Sequence, residues 1–233
     1  MVVNMKKHAE EKVKPQYTGF MKFRKEWIEP VLTAFVCVFI FKMFFFQNYA
    51  IPSGSMEDTL LEGDRLFASK FFYGTKIPFT ETFLWRLNDP KPGDIIIFRS
   101  PAEPKLDLIK RCVAVGGQIV EIRNKEVYVD GELQQLPQTG KHIDSHVFPG
   151  RMNTRDNIAP FKVTEGMLFM MGDNRDNSND SRFWGLLPEE NIKGKALFLY
   201  WSVDKHIPVF GKDASASNLV RRIRWNRMLD KIQ

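Results

Sequence analysis

The sequence predicts an all-β domain, an antiparallel sheet system coiled on itself, preceded by one apolar helix. Three observations carry this. Short β-rich runs alternate with turn signals from Ile51 to Pro208. No helical period lasts long enough to supply the crossovers of a parallel sheet. A run with no polar face, IEPVLTAFVCVFIFKMFFFQNYA, stands ahead of all the strands, from Ile28 to Ala50.

That apolar run comes first. Its heart, Val31 to Phe46, carries one charge, Lys42. A helix that crosses a bilayer needs about 20 apolar residues, and this run reaches that length when Lys42 extends its stem toward the headgroups. Trp27 and Tyr49 stand at its two ends, where interfacial aromatics belong. In the segment Met1 to Lys25 before it lie Lys6, Lys7, Lys12, Lys14, Lys22, Arg24 and Lys25 against Glu10 and Glu11. The positive-inside rule then puts the N-terminus in the cytoplasm and everything after Tyr49 on the far side. A cleaved export signal needs a small-x-small site after its apolar core, and Asn48-Tyr49-Ala50 does not supply one. The expected organisation is a basic N-terminus (1–27), a single-pass anchor (28–50), an extracytoplasmic β-rich domain (51–212) with a small ribbon insertion at about 119–165, and a basic tail (213–233). The lipid bilayer is thus an expected partner.

The strands follow in order. Asp94 to Phe98 is one and Asp107 to Val115 the next. Ile119–Ile122 and Val127–Val129 flank Arg123–Glu126 as a hairpin, and Asp130-Gly131 is a turn. Gly166–Met171 and Lys195–Trp201 are two more strands. Gln134–Pro160 is polar, a loop or small ribbon. The tail holds Arg221, Arg222, Arg224, Arg227 and Lys231 beside Leu219, Val220, Ile223, Trp225 and Met228, either an amphipathic element at a membrane surface or a solvated end.

The 233 residues carry a formal charge of +6 with 43% hydrophobic and 27% charged residues, a globular composition. Because the positive charge gathers at the two termini, topology accounts for it and nucleic acid is not required as a partner. Cys37 and Cys112 make no disulfide framework and are expected as free thiols. His142 and His146 have no completing cluster, so no metal or other cofactor is expected.

Chemistry has three candidate segments. Ser53-Gly54-Ser55 follows the apolar run and by itself is a turn. No histidine sits in a context for a Ser-His-Asp triad, so a reactive serine here needs another base. A lysine serves if it is neutral, which burial in apolar surroundings allows. Lys110 meets this in the strand Leu106–Val113; by alternation it shares a face with Leu108 and Cys112, while Ile109 and Arg111 point the other way. The plainer alternative is an edge-strand lysine that blocks aggregation. The third segment, Gly172-Asp173-Asn174-Arg175-Asp176-Asn177-Ser178-Asn179-Asp180-Ser181-Arg182-Phe183-Trp184-Gly185, does not have EF-hand spacing. It suits a loop that places a hydroxyl and an Asp–Arg pair around a buried amine.

Taken in order, Pro52-Ser53-Gly54-Ser55-Met56, Gly63-Asp64-Arg65-Leu66-Phe67-Ala68-Ser69-Lys70, Lys110-Arg111 in a strand and the long third motif resemble the bacterial type I signal peptidases. The resemblance runs from the apolar segment to about Trp201. It implies a membrane-bound serine endopeptidase of the inner membrane, acting as a monomer without cofactor, that removes signal peptides from secreted preproteins after small residues (Ala-x-Ala). It implies Ser55 as nucleophile, Lys110 as general base, Ser53 as an oxyanion donor beside the Ser55 amide, and Ser178 as hydrogen-bond partner of the lysine. Asp180, Arg182 and Arg111 match supporting positions, and Ile51 and Ile109 match the lining of a pocket for small side chains. Two departures stand out: Asp58 where the family usually has Pro, and Ala114-Val115-Gly116-Gly117-Gln118 where it usually reads Gly-Leu-Pro-Gly-Asp. Three other readings predict different features. A self-cleaving repressor needs a helix-turn-helix, and none precedes residue 50. A membrane-anchored scaffold predicts a decayed site, and a nucleic-acid binder predicts a basic, aromatic face on the β-domain.

Overall fold

A computed structural model describes residues 19–44, 46–76, 83–85, 88–208 and 216–232. The basic segment expected to lie in the cytoplasm falls mostly outside the described residues.

The N-terminal unit is helical. Helix α1 (Phe20–Phe23) leads into a π-helical turn (Arg24–Ile28) and then α2 (Glu29–Phe44). The widened turn has a local cause: Pro30 has no N–H to donate to the carbonyl four residues back, so the α-ladder is interrupted there. Thr33 Oγ1 donates back to Glu29 O, four residues earlier, at 2.8 Å. Val31, Leu32, Phe35, Val36, Val38 and Phe39 are all exposed, so no face of this helix is reserved for a protein core. Helix α2 has sixteen residues. Among the described residues no helix is long and apolar enough to cross a membrane.

The helix ends earlier than the apolar run suggests. Phe46–Ala50, expected within the helical segment, is strand β1, antiparallel to β2 (Asp64–Ser69) from Phe46↔Ser69 to Ala50↔Arg65. Asn48 and Tyr49 are weaker helix formers than the residues before them, and β2 offers an edge to pair with. Pairing with a distant strand therefore overrides the hydrophobic run.

The remaining elements are β3 (Thr75–Lys76), β4 (Phe83–Trp85), β5 (Ile95–Arg99), β6 (Asp107–Val115), β7 (Ile119–Arg123), β8 (Glu126–Val129), β9 (Glu132–Leu133), β10 (Ile158–Lys162), β11 (Met167–Met171), α3 (Ser181–Trp184), β12 (Leu187–Pro188), β13 (Ile192–Ser202) and α4 (Ala216–Arg221). Seven strands form one sheet in the order β1-β2-β13-β5-β6-β11-β12, and four form a second, β10-β7-β8-β9. Every strand pair is antiparallel. The protein is mostly β, as its turn-punctuated runs predict.

Strand β5 lies inside the main sheet and is buried on both faces. Ile95 and Ile97 join a cluster with Ile51, Met56, Leu60, Leu66 and Leu199, whereas Ile96 and Phe98 join Cys112, Leu168, Met170 and Leu187. A strand covered on both sides shows as a continuous apolar run, not an alternating one. Strand β6 carries a bulge opposite Phe169/Met170. Below it Leu108 and Cys112 pack on one side and Ile109 on the other; above it Val113 and Ala114 both turn into the cluster of the second sheet. One inserted residue thus lets a single strand serve two cores.

Two turns close the second sheet. Asn124 and Lys125 (φ 48° and 74°) link β7 to β8, and Asp130 and Gly131 (φ 53° and 84°) link β8 to β9. Paired positive φ values match the twist of a two-residue hairpin.

Beyond α4 the basic tail is bonded to the main sheet. Leu229 N donates to Leu199 O (2.8 Å), Leu199 N to Asp230 O (2.9 Å) and Ile232 N to Leu197 O (2.9 Å), so the chain pairs along β13. Arg227 Nη2 donates to the fully buried Asp64 (2.8 Å), and Arg224 Nη1 to Glu62 O (3.0 Å). Its arginines close the turn between the Ser55 segment and β2. Both cysteines are free thiols, Cys37 exposed and Cys112 buried.

Candidate active site

The Ser55 segment is fixed at both ends before its chemistry begins. Ile51 is 2% exposed, and its backbone pairs with Asp64 O (2.9 Å) and Gly63 N (3.2 Å). Met56 and Leu60 are fully buried in the first cluster. Between these anchors Ser53 is extended and exposed, and Gly54–Met56 forms a single 3₁₀ turn. Ser55 Oγ is thereby presented from a short turn with little freedom.

Strand β6 brings Lys110 to it. Lys110 Nζ lies 2.5 Å from Ser55 Oγ, and the residue is only 3% exposed. Burial is the main reason its pKa falls from the ordinary lysine value to about 8; Asp180 and Asp173 oppose the shift and Arg182 reinforces it. The loop after β11 supplies the surroundings. Arg182 Nε and Nη2 grip the two oxygens of Asp180, each at 2.8 Å, and Gly172 N donates to Asp180 Oδ2 at 3.0 Å. Arg111 Nε and Nη2 grip Asp173 in the same two-pronged way at 2.8 and 2.7 Å, while Arg111 Nη1 donates to Gly93 O at 2.9 Å. Paired forks of this kind hold geometry as well as charge.

Gly172 is required by close approach. A Cβ there would stand 2.3 Å from Ser178 Oγ and 2.5 Å from Ser55 O. Ser178 is buried beside this point, yet its hydroxyl makes no hydrogen bond among the described residues. The bond to Lys110 that the resemblance implies is therefore not formed in this structure. Ser55, Lys110, Asp180, Arg182 and Arg111 are brought together; Ser53 flanks the turn, and Ile51 and Ile109 both belong to the first cluster.

Two contributors were not legible in the sequence, Asn174 inside the long motif and Thr59 outside it. Asn174 N donates to Ser55 O (3.1 Å) and its side-chain amide to Gly54 O (3.1 Å). Thr59 donates to Asp173 Oδ2 (2.6 Å), which joins the Arg111 pair to the Ser55 segment. The signal available was only the turn-forming character of Asp and Asn; nothing local says which strand they hold.

The family model described as signal peptidase, peptidase S26, matches residues 24–201. The chain belongs to this family. A signal peptidase I of Pseudomonas aeruginosa is 36% identical over 194 residues, covering 71% of this chain and 68% of that protein. One of Aquifex aeolicus is 33% identical over 229 residues, covering 77% and 84%. The chain is an enzyme of the signal peptidase type.

Asp58 and Gln118, two of the positions that depart from the signal peptidase pattern, have local explanations. Asp58 has φ +74°, a conformation closed to proline, whose ring holds φ near −65°. Gln118 replaces an acid in its turn without loss of bonding: its Oε1 accepts from Val115 N (3.0 Å) and its Nε2 donates to Asp130 (3.0 Å). Asp58→Pro is expected to destabilise by more than about 1 kcal/mol, because it imposes a φ the native turn does not have. A lowered urea midpoint at unchanged slope checks this; an unchanged midpoint overturns it.

Proposed function

We propose that this enzyme removes N-terminal signal peptides from exported preproteins, with Ser55 as nucleophile and Lys110 as general base. The observation that carries the reading is the 2.5 Å approach of a buried, low-pKa Lys110 Nζ to Ser55 Oγ.

In this mechanism neutral Lys110 takes the Ser55 proton as Oγ attacks the scissile carbonyl. The oxyanion is held by the Ser55 N–H and the Ser53 hydroxyl, each such donor contributing about 3 kcal/mol. The lysine ammonium then gives its proton to the departing amine, and the neutral amine activates the water that hydrolyses the acyl-enzyme. Ser178, a buried hydroxyl without a partner beside Ser55, suits the role of steadying that ammonium once it forms. Asp180, Arg182 and Arg111 support the site through their fork pairs.

Substrate binding as an added strand is supported by the sheet itself. Strand β11 pairs with β6 only from Arg111 to Val115, which leaves the Asp107–Lys110 edge unpaired on that side among the described residues. A peptide added there presents alternate side chains to pockets; Ile51 and Ile109 would make those pockets small and select Ala-x-Ala. Anchoring in the inner membrane by α2, with the β-domain extracytoplasmic, is supported by the apolar side chains it exposes. Extraction of membranes at alkaline pH tests that arrangement: release into the supernatant overturns it.

The decisive experiment is cleavage of a preprotein carrying an Ala-x-Ala site by the purified enzyme beside Ser55→Ala and Lys110→Ala. Wild type is expected to cut after the second Ala, with both variants inert; equal activity of all three sinks the reading. Only neutral Lys110 is competent, so kcat/KM is expected to rise about tenfold per pH unit below about 8 and level off above it. A rate independent of pH from 6 to 9 would remove Lys110 as the base.

A further inference from the structure

We propose that Lys141, in the loop between β9 and β10, is a positioning residue that holds the Ser55 turn in its reactive geometry. The proposal rests on the assignment of Ser55 as nucleophile and adds a residue that lies outside every motif of the sequence.

The Ser55 turn has a weak flank. Between the buried side chains of Met56 and Leu60, Glu57 and Asp58 carry side chains that are 47% and 51% exposed. Asp58 is held in the left-handed region at φ +74°. A non-glycine residue there is strained by about 1–3 kcal/mol and stays only where its surroundings hold it. Without a restraint this stretch would relax toward ordinary φ and carry the preceding serine with it.

Lys141 supplies the restraint from two directions. Its Nζ lies 2.8 Å from Asp58 Oδ2 and 3.1 Å from Glu57 Oε2, so one ammonium bridges both acids. Its backbone is bound to the loop on the other side of Ser55. Lys141 N donates to Asp173 O (3.0 Å), and Arg175 N donates to Lys141 O (2.9 Å). Asn174, between those two residues, donates through its backbone N–H to Ser55 O (3.1 Å) and through its side chain to Glu57 Oε2 (3.2 Å). Thr139 adds a hydroxyl contact to Thr59, which itself donates to Asp173. The Lys141 segment, the Asp173–Arg175 loop and the Ser55 turn are therefore layered one on another, and Lys141 is bonded to both of the other layers.

The bridging ion pairs are largely in water, where each contributes little to global stability. The effect of losing them is expected in the position of Ser55, to which catalysis is far more sensitive: a displacement of about 1 Å costs up to about 100-fold in rate. Lys141→Met is therefore expected to lower kcat about tenfold while KM stays within about twofold and the melting temperature within about 2 °C. Lys141→Arg, which keeps the charge, is expected to restore most of the rate. Added salt is expected to lower wild-type kcat toward that of Lys141→Met and to leave the variant unchanged, because only the wild type has the pairs to screen.

The assay is steady-state cleavage of the Ala-x-Ala preprotein by full-length enzyme. An unchanged kcat in Lys141→Met, or no rescue by Lys141→Arg, overturns the proposal while leaving the peptidase assignment intact. If Lys141→Met does not fold, Asp58→Asn removes the shorter of the two pairs, and a loss of kcat at constant KM supports the same conclusion. If the wild type itself cuts nothing, it is the assignment of Ser55 that fails. The clamp is then judged by hydrogen exchange at the Asn174 amide, which bonds Ser55 O. Faster exchange in Lys141→Met supports it; equal exchange overturns it.

Discussion

Lys110→Met is expected to abolish cleavage, by about 10⁴-fold or more, and at the same time to make the folded protein more stable at pH 7. Both effects come from one fact, that a lysine 3% exposed has its pKa pushed down to about 8. Unfolded, the same lysine titrates near 10.5. Between pH 8 and 10.5 the unfolded chain binds a proton that the folded one does not, so stability rises with pH across that window. Below pH 8 both states are protonated, and the full cost of burying the charge remains. At 1.36 kcal/mol per pH unit, that cost is about 3 kcal/mol. Methionine keeps the length and removes the charge, and each kcal/mol regained is expected to raise the melting temperature by about 2–4 °C in a protein of this size. Thermal unfolding at pH 7 and pH 10 measures it. The gain should shrink at the higher pH; a variant less stable than wild type at pH 7 would mean that the lysine is not held against a desolvation cost.

Arg111→Met is expected to have the opposite sign on stability and the largest magnitude. The Arg111 fork leaves Asp173 with no exposed side-chain surface, and Thr59 is its other side-chain partner. Removing the arginine strands a buried carboxylate, and breaking a buried pair in this way costs about 3–5 kcal/mol. Urea unfolding is the measurement. The double variant Arg111→Met/Asp173→Asn is expected to recover part of the loss, since no charge is then left unpaired. The pair Lys193–Asp107 is the internal comparison. Its side chains are each 30% exposed, and its loss is expected to cost below about 1 kcal/mol. If Arg111→Met costs no more than that, the fork does not hold the site together.

Much of this architecture was legible because it rests on local pattern. The strands from Ile95, Asp107, Ile119 and Met167 lie within a residue or two of the positions their apolar runs and turn residues indicate. Asp130-Gly131 turns where it reads as a turn, because few residue pairs accept two successive positive φ values. Alternation along β6 correctly sends Leu108 and Cys112 to one side and Ile109 to the other. The end of the helix was not legible. Phe46–Ala50 has a helix-compatible apolar lead-in, and only the vacant edge of β2, whose pairing begins at Arg65, makes it a strand. The basic tail misleads for the same reason: Arg227 reads as surface charge until Asp64, far away in sequence and fully buried, turns out to need it.

By itself, the sequence determined the family, the mostly-β class and the Asp130-Gly131 turn, because rare motifs and strand periodicity are properties of the chain read in order. Only the tertiary structure decided how the residues gathered around Ser55 act on one another. The depth to which Lys110 is buried, and so its pKa, depends on how strands distant in the chain close around it. The clamp of Lys141 on Asp58 joins two loops that share no local signal. Among the described residues, β6 keeps an unpaired edge because β11 stops at Met171, opposite Arg111. Electrostatic shift, loop restraint and free strand edge all arise from through-space contact between distant segments, and order along the chain does not encode them.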